Sequence, residues 1–153
     1  SRLRRKGRVL STTLPYAQDM LERTRALTNV VTSYEEIIVA YLFGSAATGR
    51  QGERSDVDVA VLLGESLTAA REERLRSDLE AAAHRRVDLV ILDDAPPLLA
   101  REVVTTGKVL LCRDEDRRAR FELGTLSRYL DTHHLRQVQI AYLRERIEAR
   151  SDR

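Results

Sequence analysis

The sequence predicts an α/β fold with helices at both ends. Three observations carry that expectation: short apolar runs that each stop at a turn signal, helical periodicity in the segments around them, and a strand–helix–strand order that implies a right-handed crossover. At 153 residues, with 42% hydrophobic and 33% charged residues, the chain is long enough for one compact domain with its own core. It holds no internal repeat, low-complexity tract or Gly/Ser linker, so its segments belong to one fold.

The elements follow in order. Residues 1–14, opening with SRLRRKG, read as a basic arm. From Pro15 to Thr32, Ala17, Met20, Leu21, Leu27, Val30 and Val31 recur at helical spacing, and Pro15 suits a first turn. Glu36 to Phe43, EIIVAYLF, is a nearly continuous apolar run that ends at Gly44 and reads as a buried strand. Val57 to Leu63 is a second, closed by Gly64, and Val87 to Leu92 a third, closed by Asp93, Asp94 and the Pro96-Pro97 pair. Between these two, Leu67, Ala70, Leu75, Leu79, Ala82 and Ala83 mark one helical face, with Ser66 or Thr68 as its N-cap. A helix from Pro97 to about Thr106 leads through Gly107 into KVLLC, a short or edge strand. Two helices are expected after it, one over Asp114 to Leu130 and a last one capped by Asp131 or Thr132. Residues 15–113 then form the core of the domain, and 114–153 a helical extension whose Leu126, Tyr129, Leu135, Val138 and Tyr142 offer apolar surface to a partner.

Composition narrows the function class. No apolar stretch approaches the roughly 20 residues of a membrane span, and the arginine-rich start lacks the apolar segment of a signal peptide, so a cytoplasmic location is expected. The single Cys112 forms no internal disulfide and reads as core filler. A net charge of +2 offers little steering toward nucleic acid.

One feature demands chemistry. Asp56 and Asp58 sit at alternate positions of the second strand and present two carboxylates to one side. Like charges that close repel, and a divalent cation held between hard oxygen ligands removes the repulsion; Mg²⁺ suits such a set and takes further ligands from phosphates. Asp88 interrupts the third strand's apolar run and joins the pair if the two strands are neighbours. Three convergent carboxylates hold two metals about 3.5–4 Å apart, the clamp for in-line displacement at phosphorus. Gly44 lets backbone approach a ligand closely, and Ser45 adds a hydroxyl at the phosphate half of the site.

Gly44-Ser45, ten intervening residues, then Asp56-x-Asp58 preceded by Ser55, with Asp88 on a later strand, resembles the nucleotidyltransferase superfamily that includes DNA polymerase beta. The short chain, YLFGS and the C-terminal FELGTLSRYLDTHHLRQVQIAYLRERI look more narrowly like the minimal nucleotidyltransferase (MntA-like) antitoxins that partner HEPN-domain toxins; the resemblance spans about Tyr34 to Ile147. It implies a small mixed sheet of the polymerase-beta type, and two Mg²⁺ ions on Asp56, Asp58 and Asp88, the catalytic carboxylates. It also implies ATP as donor at Gly44 and Ser45, with Thr48, Arg50 and Ser55 in the nucleotide-binding loop. Asp88 is the carboxylate expected to help deprotonate the acceptor. The implied activity is transfer of AMP to a tyrosine of a partner HEPN RNase toxin, within a hetero-oligomeric complex, with neither nucleic acid nor membrane as direct partner.

The loop departs from the family at one position. Thr48 stands where members commonly carry Arg before the second glycine, which leaves Arg50 or Arg54 to supply the charge. That departure motivates one alternative to the leading expectation, a catalytically silent antitoxin that works by binding alone; a second alternative keeps catalysis but changes the acceptor to a small molecule of aminoglycoside type.

Overall fold

The computed structural model describes residues 14–48 and 56–151. The basic arm and most of the loop that joins the Gly-Ser pair to the Asp pair lie outside them. The order is α1 (Leu14–Thr32), β1 (Ile37–Phe43), α2 (Ser45–Thr48), β2 (Val57–Leu63), α3 (Ala69–Ala83), β3 (Val87–Ile91), a 3-10 turn (Leu92–Asp94), α4 (Pro97–Thr106), β4 (Lys108–Cys112) and α5 (Glu115–Ser151). The strands lie in the order β3-β2-β1-β4. β1 runs antiparallel to both β2 and β4, whereas β2 and β3 are parallel, as the crossover through α3 requires, so the sheet is mixed.

The two central strands, IIVAYLF and VDVAVLL, are covered on both faces, which is why they read as continuous apolar runs rather than as alternation. On one face Val57, Val59, Val61 and Leu63 of β2 pack with Leu27 and Val31 of α1 and Leu75 and Leu79 of α3. On the other, Ala60 and Leu62 join Val39, Tyr41 and Phe43 of β1, Val103 of α4 and Phe121 of α5. Ile37 shares a face with Ala40 and Leu42 despite its odd number, because the register shifts between Ile37 and Val39.

Local signals act where expected at α3. Thr68 Oγ1 accepts the Arg71 N–H at 3.2 Å as N-cap, and His84 ends the helix in the left-handed region at φ 52°. At the other sheet edge Arg113, just after β4, donates Nη1 to the carbonyls of Tyr34 (3.0 Å) and Ile37 (2.5 Å), and Nη2 to that of Thr32 (2.6 Å). A cation thus satisfies the carbonyl end of α1 and the turn into β1 together. Charge-assisted bonds of this kind contribute about 1.5–3 kcal/mol when desolvated, and this side chain is exposed; Arg113→Ala is expected to cost roughly 1–2 kcal/mol in denaturant unfolding. A midpoint shift within error would show that water replaces the guanidinium.

The C-terminal region corrects the expectation of two helices. A single helix of 37 residues runs from Glu115 to Ser151, straight through Asp131 and Thr132. Neither Gly nor Pro stands near 131, and a capping residue ends a helix only where the backbone leaves helical geometry. Side chains also span the expected break: the Arg136 guanidinium lies 4.2 Å from the Tyr129 ring centroid and its Nη2 donates to the Tyr129 carbonyl at 3.0 Å. The helix is anchored through its first half, where the Tyr41 hydroxyl donates to Glu122 Oε1 at 2.9 Å and Arg118 pairs with the same oxygen at 2.9 Å. Leu130, Ile140, Leu143 and Ile147 remain exposed. Among the described residues no helix is long and apolar enough to cross a membrane.

Candidate active site

The parallel β2–β3 pairing sets Asp58 directly opposite Asp88. Along β2, Asp58 shares its parity with Ala60 and Leu62, so its side chain lies on the face covered by α4 and α5; Asp88 shares its parity with Val90, which packs on that same face. Asp56 lies just before the first residue of β2 rather than inside the strand. The amide of Val57 donates to the Arg86 carbonyl at 2.9 Å and ties that entry to the residues before β3. Asp58 is half-buried, and Asp56 and Asp88 are exposed.

Burial raises the Asp58 carboxyl above the ordinary carboxylate range, and the negative charges of Asp88, Glu102 and Asp56 add to it in that order. Glu102, on α4, was not legible as a site residue, because a lone glutamate on a helix carries no motif. Only packing of α4 over the sheet brings its charge to Asp58.

Gly44 closes β1 beside Asp58, since its neighbour Phe43 is the register partner of Asp58. Its φ is +69°, in the left-handed region, and a Cβ built on it would overlap Asp58 Oδ2 and stand 3.2 Å from Cγ. The glycine therefore gives the carboxylate its room. Ser45 follows as the first residue of α2, and Thr48 is its last. Arg50 and Ser55, together with the side chain of Thr48, lie outside the described residues. Structure thus brings together Asp58, Asp88, Gly44 and Ser45, with Asp56 at the entry. Among the described residues no three His, Cys, Asp or Glu side chains, as placed, form a group that would hold a metal ion.

Residues 25–116 match the protein family described as Polymerase beta, Nucleotidyltransferase, which is more than half of the chain. The chain belongs to the polymerase beta nucleotidyltransferase family. It is 38% identical over 100 residues to the protein adenylyltransferase MntA of Shewanella oneidensis, covering 65% of this chain and 71% of that protein. Among solved structures, a chain of a toxin–antitoxin complex with AMP-PNP superposes with a TM-score of 0.70 at 31% identity, over 78% of this chain and 97% of that one. A chain of the complex between tri-AMPylated Shewanella oneidensis HEPN toxin and MNT antitoxin gives 0.65 at 28% identity, over 82% and 98%. This nucleotidyltransferase carries its Gly-Ser and Asp-x-Asp motif inside the matched residues, while nearly all of α5 lies beyond them.

Proposed function

We propose that the chain transfers AMP from ATP to a tyrosine of a HEPN-type toxin, and acts as that toxin's antitoxin. The observation that carries this reading is the register pairing of Asp58 with Asp88, with Gly44 folded against the Asp58 carboxylate. Its relatives supply the direction: one is a protein adenylyltransferase, and another was solved beside an AMPylated HEPN toxin.

Asp58 and Asp88, paired across β2 and β3 with Asp56 at the strand entry, offer hard oxygen donors of the kind Mg²⁺ takes, and a bound cation would draw the three carboxylates closer than they stand. When bound, Mg²⁺ would supply positive charge against the triphosphate and the carboxylates of Asp56, Asp58 and Asp88. The chain's residues do the rest. Gly44 and Ser45, at the turn from β1 into α2, would hold phosphate oxygens through backbone N–H and hydroxyl groups. Asp88 is exposed and accepts the proton of the tyrosine hydroxyl as that oxygen bonds to the α-phosphorus of ATP. The bond from the α-phosphorus to the bridging oxygen breaks, and pyrophosphate leaves with its electron pair.

Incubation of the protein with its partner toxin, Mg²⁺ and ATP labelled in the α-phosphate tests the proposal. Label on a toxin tyrosine, absent when Asp56→Ala and Asp58→Ala are combined, is the expected result. Label undiminished in that variant, or none with the unaltered chain, overturns it. The loop that carries Thr48 in place of arginine favours a second reading, neutralisation by binding alone. Full protection of cells by a chain with all three aspartates changed to alanine would make that the better one.

A further inference from the structure

A polar cleft opens near the end of β2 away from the carboxylates. Arg117, Arg120 and Arg128 line it on the α5 side, Asp93 on the opposite side, and Leu62, Leu92 and Phe121 form its apolar floor; the volume is about 580 Å³. That is the size of a small-molecule site. Leu62 and Asp58 are four residues apart on the same face of β2, so roughly 13 Å of strand separates cleft from carboxylates.

Arginines of α5 are sorted by partner. Arg118 is neutralised by Glu115 at 3.4 Å and Glu122 at 2.9 Å. Arg117 and Arg120 instead donate to carbonyl oxygens, of Leu63 at 3.1 Å and Asp116 at 3.4 Å, which leaves their charge uncompensated. Arg117 is also fixed in place, because the Leu63 peptide is gripped at both ends: its carbonyl accepts from Arg117 and its N–H donates to Asp93 Oδ2 at 3.0 Å. Two guanidiniums without an ion pair, Arg117 and Arg120, therefore share the cleft with Arg128 and with one carboxylate that is already engaged. Beyond Arg117 the adjoining cleft is lined by Glu65, Glu72 and Asp94. An extended polyanion such as RNA would run from the arginines into those acids, whereas a compact anion would not.

We propose that the arginine cleft is a binding site for a compact diphosphate, either free pyrophosphate or the diphosphate of a nucleotide, distinct from the carboxylate site. Guanidinium forks match phosphate oxygens in pairs, and two phosphates span neighbouring arginines of one helix face. The apolar floor with Phe121 would carry the base if the ligand is a nucleotide.

Isothermal titration of inorganic pyrophosphate and of ADP into the whole chain, with EDTA present, tests this. Saturable binding with a Kd below about 1 mM is expected, weakening with added salt. Arg120→Glu is expected to weaken it at least tenfold, and Asp58→Asn to leave it unchanged; circular dichroism confirms that both fold. ADP tighter than pyrophosphate makes a nucleotide the ligand, and equal affinities make free pyrophosphate sufficient. The absence of saturable binding by either probe, its survival in the Arg120→Glu, Arg128→Glu double variant, or its loss in Asp58→Asn overturns the proposal.

Discussion

Asp58→Asn is expected to abolish AMP transfer and, at neutral pH, to make the fold more stable. The first effect follows from the loss of a charged ligand at the reacting phosphates, where removing one stabilising group typically costs 10²–10³-fold in rate, so a fall of about that size or more is expected. The second follows from linkage. Burial and three acidic neighbours raise the folded Asp58 carboxyl above its unfolded value. Between the two values the folded state retains a proton that the unfolded state has lost, so stability falls as pH rises through that window and stays lower above it. The amide carries no charge and avoids that cost. Because Asp58 is only half-buried, water screens much of the repulsion; a gain of roughly 1 kcal/mol, or about 2–4 °C in thermal midpoint, is the expected scale. Thermal melts at neutral pH and below the ordinary carboxylate range measure it. The gain should vanish in acid, and a variant less stable than the parent at neutral pH would show that Asp58 is held by a favourable partner.

Gly44→Ala is expected to lose both stability and transfer. A side chain at φ +69° costs about 1–2 kcal/mol, and the added Cβ overlaps the Asp58 carboxylate, which must swing away from its position opposite Asp88. A double-mutant cycle separates the two contributions, since the three nearest atoms to that Cβ all belong to Asp58. Gly44→Ala should cost less stability in an Asp58→Ala background than alone, and the difference measures the overlap. Equal costs in both backgrounds would assign the whole effect to backbone strain.

Much of this fold is legible in the chain because its elements are strongly patterned. Gly44, Gly64 and the Pro96-Pro97 pair punctuate the strands, and the parallel neighbours follow from a helix of α3's length between β2 and β3. The pairing of Asp58 with Asp88 was foreseeable for the same reason: once the strands are neighbours, two acids inside apolar runs have few other places to go. What failed to show lies in tertiary contact. Asp131-Thr132 looks like a cap, but Tyr129 and Arg136 clasp each other across it. Glu102 reaches Asp58 only through the packing of α4, and three arginines scattered over α5 become one cleft only when Leu62 and Asp93 are folded beneath them.

The close fit of Gly44 to Asp58 also bears on how chains of this kind can drift. Each residue of the pair restricts the other: the acid occupies the space any larger residue at 44 would need, and the glycine has its strictest reason to persist while the acid is there. A descendant that ceased to transfer AMP and kept only its grip on a partner would lose selection on Asp58 first, and with it most of the barrier to replacing Gly44. Positions 44 and 58 should then decay together, leaving a paired scar by which a retired enzyme is told from a working one.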